Sequence, residues 1–142
     1  MAAEIDFQQL INVIGEAVVI SDPDGAITLW NPAAERLFGY TKDEAMGQSL
    51  DLIIPEKQQK RHWDGYHKTM KSGQTRYGND LLRVPATHKD GHRLSIAFTV
   101  ALLYSTDNEI TGIAAVIRDE TERFNQDREL RKRLAELEGQ SA

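Results

Sequence analysis

The four histidines are the side chains most able to hold a metal or move a proton near neutral pH. His62, Tyr66 and Met70 fall at i, i+4 and i+8 of a polar, helix-patterned stretch, so they form one stripe. Lys57, Lys60 and Arg61 make a small basic cluster beside it. His67, five residues from His62, is rotated well off the stripe. His88 and His92 flank the tight turn Lys89-Asp90-Gly91 and read as surface residues. No spacing of Asp, Glu and His singles out an acid/base pair. The chain has no P-loop, nucleophile elbow, helix-borne metal-ligand pair or kinase signature, so it is not expected to be an enzyme. Cysteine is absent, which excludes disulfides, cysteine-ligated zinc, iron–sulfur clusters, thioether-attached haem and cysteinyl adducts with flavin or chromophore.

Something must position those side chains, and 142 residues suffice for one domain with its own core. The net charge of −5 argues against nucleic-acid binding by this domain. The longest apolar runs, such as Ala17–Ile20, are far too short to span a membrane, and Met1–Asp6 has no signal-peptide layout. A cytoplasmic protein without membrane contact is the expectation.

Residues 5–15 read as an amphipathic helix, with Ile5, Leu10, Ile11 and Ile14, helped by Phe7, on one broad face. Ala17–Ser21 and Ile27–Trp30 flank Asp22-Pro23-Asp24-Gly25 and form a hairpin. Asn31 suits a helix N-cap and Pro32 the first helical position, so a short helix over Ala33–Phe38 should stop at Gly39. Thr41 and Glu44 have capping-box spacing for a second short helix. A longer helix runs from Glu56 to Lys71, ended by Gly73. Three strand candidates follow: Thr75–Thr87, interrupted by Gly78-Asn79 and Pro85; His92–Leu102; and Ile110–Arg118. The middle one alternates cleanly, with Leu94, Ile96, Phe98, Val100 and Leu102 on one face and Arg93, Ser95, Ala97, Thr99 and Ala101 on the other. Asp119 to Glu122 has the spacing of a helix start. That helix carries Leu130, Leu134 and Leu137 at 4-then-3 spacing, the start of a coiled-coil seam. The order predicts an α+β domain with a five-stranded antiparallel sheet, short helices over one face, and flanking N- and C-terminal helices.

Three separate motifs carry a family resemblance. Asp22-Pro23-Asp24-Gly25 with Ile27–Tyr40, then Lys89-Asp90-Gly91, then Arg118-Asp119-Glu120-Thr121-Glu122-Arg123 together resemble the PAS sensor-domain family over roughly residues 7–125. The resemblance implies a curved sheet enclosing a pocket, and a domain that senses a ligand, cofactor or partner and passes the change to an effector. It divides the chain into an N-terminal amphipathic helix (1–16), a PAS core (17–119) and a C-terminal linker or coiled-coil helix (120–142). It also implies a homodimer through the terminal helices, in a regulator of bacterial type with an output domain or partner protein.

The missing cysteine excludes the adduct-forming flavin mechanism of light-sensing members. The haem-binding members use a histidine eleven residues before the glycine that ends the long helix, and His62 precedes Gly73 by eleven. The resemblance therefore implies haem b or another small molecule as cofactor, His62 as metal ligand, and Tyr66, Ile53, Ile54, Leu82, Phe98 and Val100 around it. Aligning instead on Asp64-Gly65-Tyr66 puts Trp63, which cannot ligate iron, at the ligand position. The oxygen-contacting arginine of some members falls at Leu82, with Arg83 one residue off. Asp119 and Thr121 are expected to cap the output helix and transmit the signal rather than touch ligand. Two functions follow: a sensor that binds a small molecule or haem in its core pocket and signals through the C-terminal helix, or a ligand-free dimerisation and interaction module.

Overall fold

The computed structural model describes residues 3–75 and 80–140. Its first helix, α1 (Phe7–Val13), is shorter than the 5–15 expected. Asp6 caps its start by accepting from the Gln9 N–H at 3.0 Å, which leaves Ile5 outside. Its end has a cause remote in sequence. The Ile11 carbonyl, which the next helical turn would use, accepts instead from the Asn31 side chain at 3.0 Å. Phe7, Leu10 and Val13 remain exposed while Ile11 and Ile14 are half-buried, so the apolar face is covered only in part.

Strands β1 (Ala17–Ser21) and β2 (Ile27–Trp30) pair across the expected turn. Asp22 Oδ1 accepts from the N–H groups of Asp24 and Ala26, and Gly25 takes φ +90°. Helix α2 (Pro32–Phe38) follows with Asn31 at its N-cap and Gly39 in the left-handed region at its end. Helix α3 (Lys42–Ala45) carries the expected Thr41/Glu44 capping box. A single 3-10 turn, Leu50–Leu52, leads to the long helix α4 (Glu56–Ser72). Strand β3 (Leu82–Thr87) starts later than the sequence pattern suggested; residues 76–79, including Gly78-Asn79, lie outside the described residues. Strands β4 (Arg93–Tyr104) and β5 (Ile110–Asp119) complete the sheet, and α5 (Thr121–Gln140) leaves it.

The five strands form one antiparallel sheet in the order β2-β1-β5-β4-β3. The first hairpin and the last three strands are joined by β1 lying against β5. Register sets the inner face. One row runs Leu82, Phe98, Ile117, Ala17, and the next includes Val100, Ala115, Val19 and Trp30. Against it pack Phe38, Ala34, Leu50, Ile53 and Tyr66. The outer face is not bare: Val18 and Ala97 are buried there, whereas Thr99 and Ala101 stay exposed. No helix among the described residues is long and apolar enough to cross a membrane.

Asn31 joins these elements. Its buried carboxamide oxygen accepts from the N–H groups of Val18 and Ala34, and its NH₂ donates to the carbonyls of Ile11 and Glu16. Aspartate caps a helix as well as asparagine does, but it has no NH₂ to give. Asn31→Ala is expected to cost about 3 kcal/mol, the sum of a lost cap and stranded buried groups. Asn31→Asp should cost at least as much despite keeping the cap; urea unfolding of both variants measures this.

Candidate functional site

Helix α4 sets Tyr66 and Met70 of its stripe against the core, with His62 half-buried at the other end. Its Tyr66 is the one α4 residue fully buried among those described. The phenol oxygen lies 2.9 Å from Ser21 Oγ and also donates to the Asp22 carbonyl, so the ring is a strut from α4 to the β1–β2 turn. Burial pushes the Tyr66 hydroxyl pKa up, opposed by the Ser21 hydrogen bond. Next to it, Trp63 donates its indole N–H to Asp51 at 2.6 Å and sets the Cη2–Cζ3 edge of its ring against Gly25. A Cβ built on Gly25 would sit 2.2 Å from that ring, so this glycine serves both the turn and the close approach.

His62 is half-buried between these groups. Its ring centroid is 4.6 Å from that of Trp63 and 5.6 Å from that of Tyr66. Its Nδ1 is shut off from solvent and has no hydrogen-bond partner. Desolvation holds the imidazole below its usual pKa, with nearby His67 adding to that and Asp51 opposing it. The site thus presents a neutral imidazole nitrogen with nothing to bind, a costly feature in a buried group. Cofactor chemistry can be tested on that atom. The groups around that ring are Trp63, Tyr66, His67 and Asp51, with no thiolate among them, so the donor it offers is a single imidazole nitrogen.

The other expected site residues fall on two levels. Ile53 is buried in the core, and its carbonyl accepts from the Thr87 N–H at 2.9 Å, tying the 3-10 turn to the end of β3. Ile54, Phe98 and Met70 pack against the core from the half-buried layer. Leu82 and Val100 are half-buried on the inner face, Leu82 directly opposite Phe98. Arg83 points the other way, pairing with Glu120 at 3.2 Å, so it does not stand in for a ligand-contacting arginine. Two concavities of about 390 and 410 Å³ lie elsewhere. The first separates the outer face of β3 and β4 from the root of α5, and the second lies between α1, β2 and α2.

Asp119 and Thr121 sit at the sheet–helix junction. Asp119 accepts from the Thr121 N–H at 2.9 Å, and the Thr121 hydroxyl accepts from the Ser95 N–H on β4 at 3.0 Å. Glu120 donates its N–H to the Ser95 carbonyl and accepts from Phe124, the first helical bond of α5. The sequence pattern located this junction but not its partner: Ser95 is 26 residues from Thr121, with no local signal linking them.

An antiparallel sheet in the order β2-β1-β5-β4-β3, closed by a helical layer and with a helix leaving its last strand, defines a class of α+β domain. A family model described as the PAS fold matches residues 5–119, and the chain belongs to the PAS family. It is 38% identical over 63 residues, 44% of the chain, to the sensor protein FixL of Bradyrhizobium diazoefficiens. It is 28% identical over 133 residues, 94% of the chain, to the cell-division control histidine kinase PdhS of Brucella ovis. The chain spans 12% of the length of each of these relatives. Among solved structures, the PAS domain of a Colwellia psychrerythraea protein superposes with a TM-score of 0.71 at 23% identity, covering 82% of this chain and 95% of that one. An RNA-binding light-oxygen-voltage receptor gives a TM-score of 0.71 at 20% identity, over 91% of this chain and 36% of that one.

The depressed His62 pKa has a definite sign. As pH falls through the ordinary imidazole range near 6.5, the unfolded chain takes up a proton that the native ring resists. The ligand-free protein is therefore expected to lose stability between about pH 7.5 and about pH 5, and His62→Gln to lose measurably less. Urea midpoints at both pH values compare the two.

Proposed function

We propose that this chain is the sensory input domain of a signalling protein and that it acts by binding, not by catalysis. The core at 17–119 reads a small ligand in the layer between α4 and the inner sheet face, and 1–16 and 120–142 are the connecting segments. The observation that carries this is the His62 imidazole, neutral, shielded and unpartnered at Nδ1. His62 would be the donor and metal ligand. Tyr66, Ile53, Ile54, Leu82, Phe98 and Val100 would form the surrounding wall. Haem b is the cofactor this arrangement suits best; when bound, it supplies an iron open to a further diatomic or redox-sensitive ligand. The similarity to sensor and histidine kinase proteins supports a signalling context, with an output domain or partner protein receiving the change.

Transmission would run through Asp119 and Thr121. An inner-face change that shifts β4 moves Ser95, and Ser95 holds the start of α5 through both its N–H and its carbonyl. Only a ligand that binds one arrangement better than the other can drive this. Titrating haemin into untagged protein is expected to give a Soret band that saturates at equimolar haemin. His62→Ala should remove it and His67→Ala should leave it. A band indifferent to His62→Ala overturns the ligand assignment.

A second reading has its own observation. Leu130, Leu134 and Leu137 are each more than half exposed, as are Phe7 and Val13. Apolar side chains at heptad-like spacing with nothing over them favour a homodimer through the terminal helices. Sedimentation velocity should show a dimer for the wild type and a monomer for Leu130→Asp/Leu134→Asp. A wild-type monomer at micromolar concentration would rule the dimer out.

A further inference from the structure

The β3–β4 turn holds a cluster that the sensory reading does not use. His88, Asp90 and His92 occupy alternate positions of it, and one ligand atom from each lies within 4.8 Å of the others. The two imidazoles stack with centroids 4.5 Å apart and planes 19° from parallel. Asp90 Oδ1 lies between them, 3.2 Å from His88 Nδ1 and in contact with His92 Nδ1. It also accepts from the His92 N–H at 2.9 Å, which orients the carboxylate.

The arrangement is held from behind. The His88 ring is pressed against Gly39: a Cβ there would lie 2.5 Å from its Cε1 and 2.6 Å from its Nε2. On the other side of the ring, the Asp90 N–H donates to His88 Nδ1 at 3.1 Å, which holds that nitrogen toward Asp90. The Lys89 N–H donates to the Phe38 carbonyl at 2.9 Å, docking the turn on the end of α2. Neighbouring cations are drawn off. The Lys89 ammonium pairs with Glu44 at 2.5 Å, and the Arg93 guanidinium lies 5.3 Å over the Phe124 ring.

We propose that His88, Asp90 and His92 form a surface site for a divalent transition ion of the zinc class. Two imidazole nitrogens and one carboxylate oxygen suit zinc, nickel or copper better than magnesium or calcium, which prefer all-oxygen sets. Zinc places such atoms about 2 Å from itself, so the three ligand atoms must draw together from their present spacing. Turn geometry permits this because Asp90 and His92 are exposed, with only His88 anchored. Three protein ligands leave a coordination position for water or for a group from a partner. A bound ion would clamp the residue after β3 to the residue before β4, stiffening the hairpin that carries Leu82 and Phe98.

The test is a Zn²⁺ titration of untagged protein against a chelating indicator, with thermal midpoints recorded with and without the ion. One equivalent should bind and raise the midpoint. His92→Ala and Asp90→Asn, both at exposed positions and checked for native circular dichroism, should each weaken binding at least tenfold and abolish the rise. His62→Ala should bind zinc as the wild type does, which separates this site from the sensory one. Equal binding by wild type and His88→Ala/His92→Ala overturns the proposal, as does a loss that follows His62.

Discussion

The four hydrogen bonds of the Asn31 carboxamide are the constraint on which the rest of this domain depends. Each partner belongs to a different piece of chain: the end of α1, the lead into β1, β1 itself and the first turn of α2. A buried primary amide has two acceptor and two donor functions at this site, and all are used. Removing any partner would leave a polar group stranded where water cannot reach it, so the four pieces are fixed together or not at all. This explains why α1 ends at Val13 although its apolar pattern continues. The carbonyl that would extend the helix is taken by a residue twenty positions on.

From that corner the order propagates across the sheet. Asn31 holds β1 through Val18, and β1 carries Ser21 at its far end. The Tyr66 hydroxyl donates to the Asp22 carbonyl and lies 2.9 Å from Ser21 Oγ, which sets the rotation of α4 about its own axis. Trp63 against Gly25 fixes the same rotation one turn earlier. Both aromatic neighbours of the His62 ring are thus committed to other partners, and its Nδ1 is left without one. The unpaired nitrogen follows from how α4 is seated and is not a local accident of rotamer.

What the amino-acid sequence made legible was short-range. The Asx turn at Asp22, the Thr41/Glu44 box, the glycine stops at Gly39 and Gly73, and the alternation of β4 all have their cause within a few residues. The order of elements then sufficed for the five-stranded sheet. The misread parts have distant causes. Helical periodicity over 5–15 says nothing of an amide at position 31. The alternation of β4 placed Ala97 on the face opposite Leu94 and Phe98, but its burial depends on what lies over that face. For the candidate site, the stripe of His62, Tyr66 and Met70 was readable from spacing. The Tyr66–Ser21 contact across 45 residues was not, and neither was the pairing of Arg83 with Glu120 across 37. His88 and His92 were seen to flank a turn, but that their rings stack face to face follows from the hairpin's closure.

The junction at Glu120 shows how such a domain can couple its two faces. Glu120 is largely buried, yet it pairs with Arg83 on β3 and with Arg123 on the first turn of α5. Its own N–H is fixed by Ser95 on β4. Three elements therefore meet at one residue on the outer side, while the inner faces of the same two strands carry Leu82 and Phe98. Helix α5 has no buried residue of its own, so no broad packing surface sets its direction. Direction must come from these few bonds at its root. Small changes in the spacing of β3 and β4 would be magnified along twenty residues of helix, since rotation at the root becomes displacement at the far end.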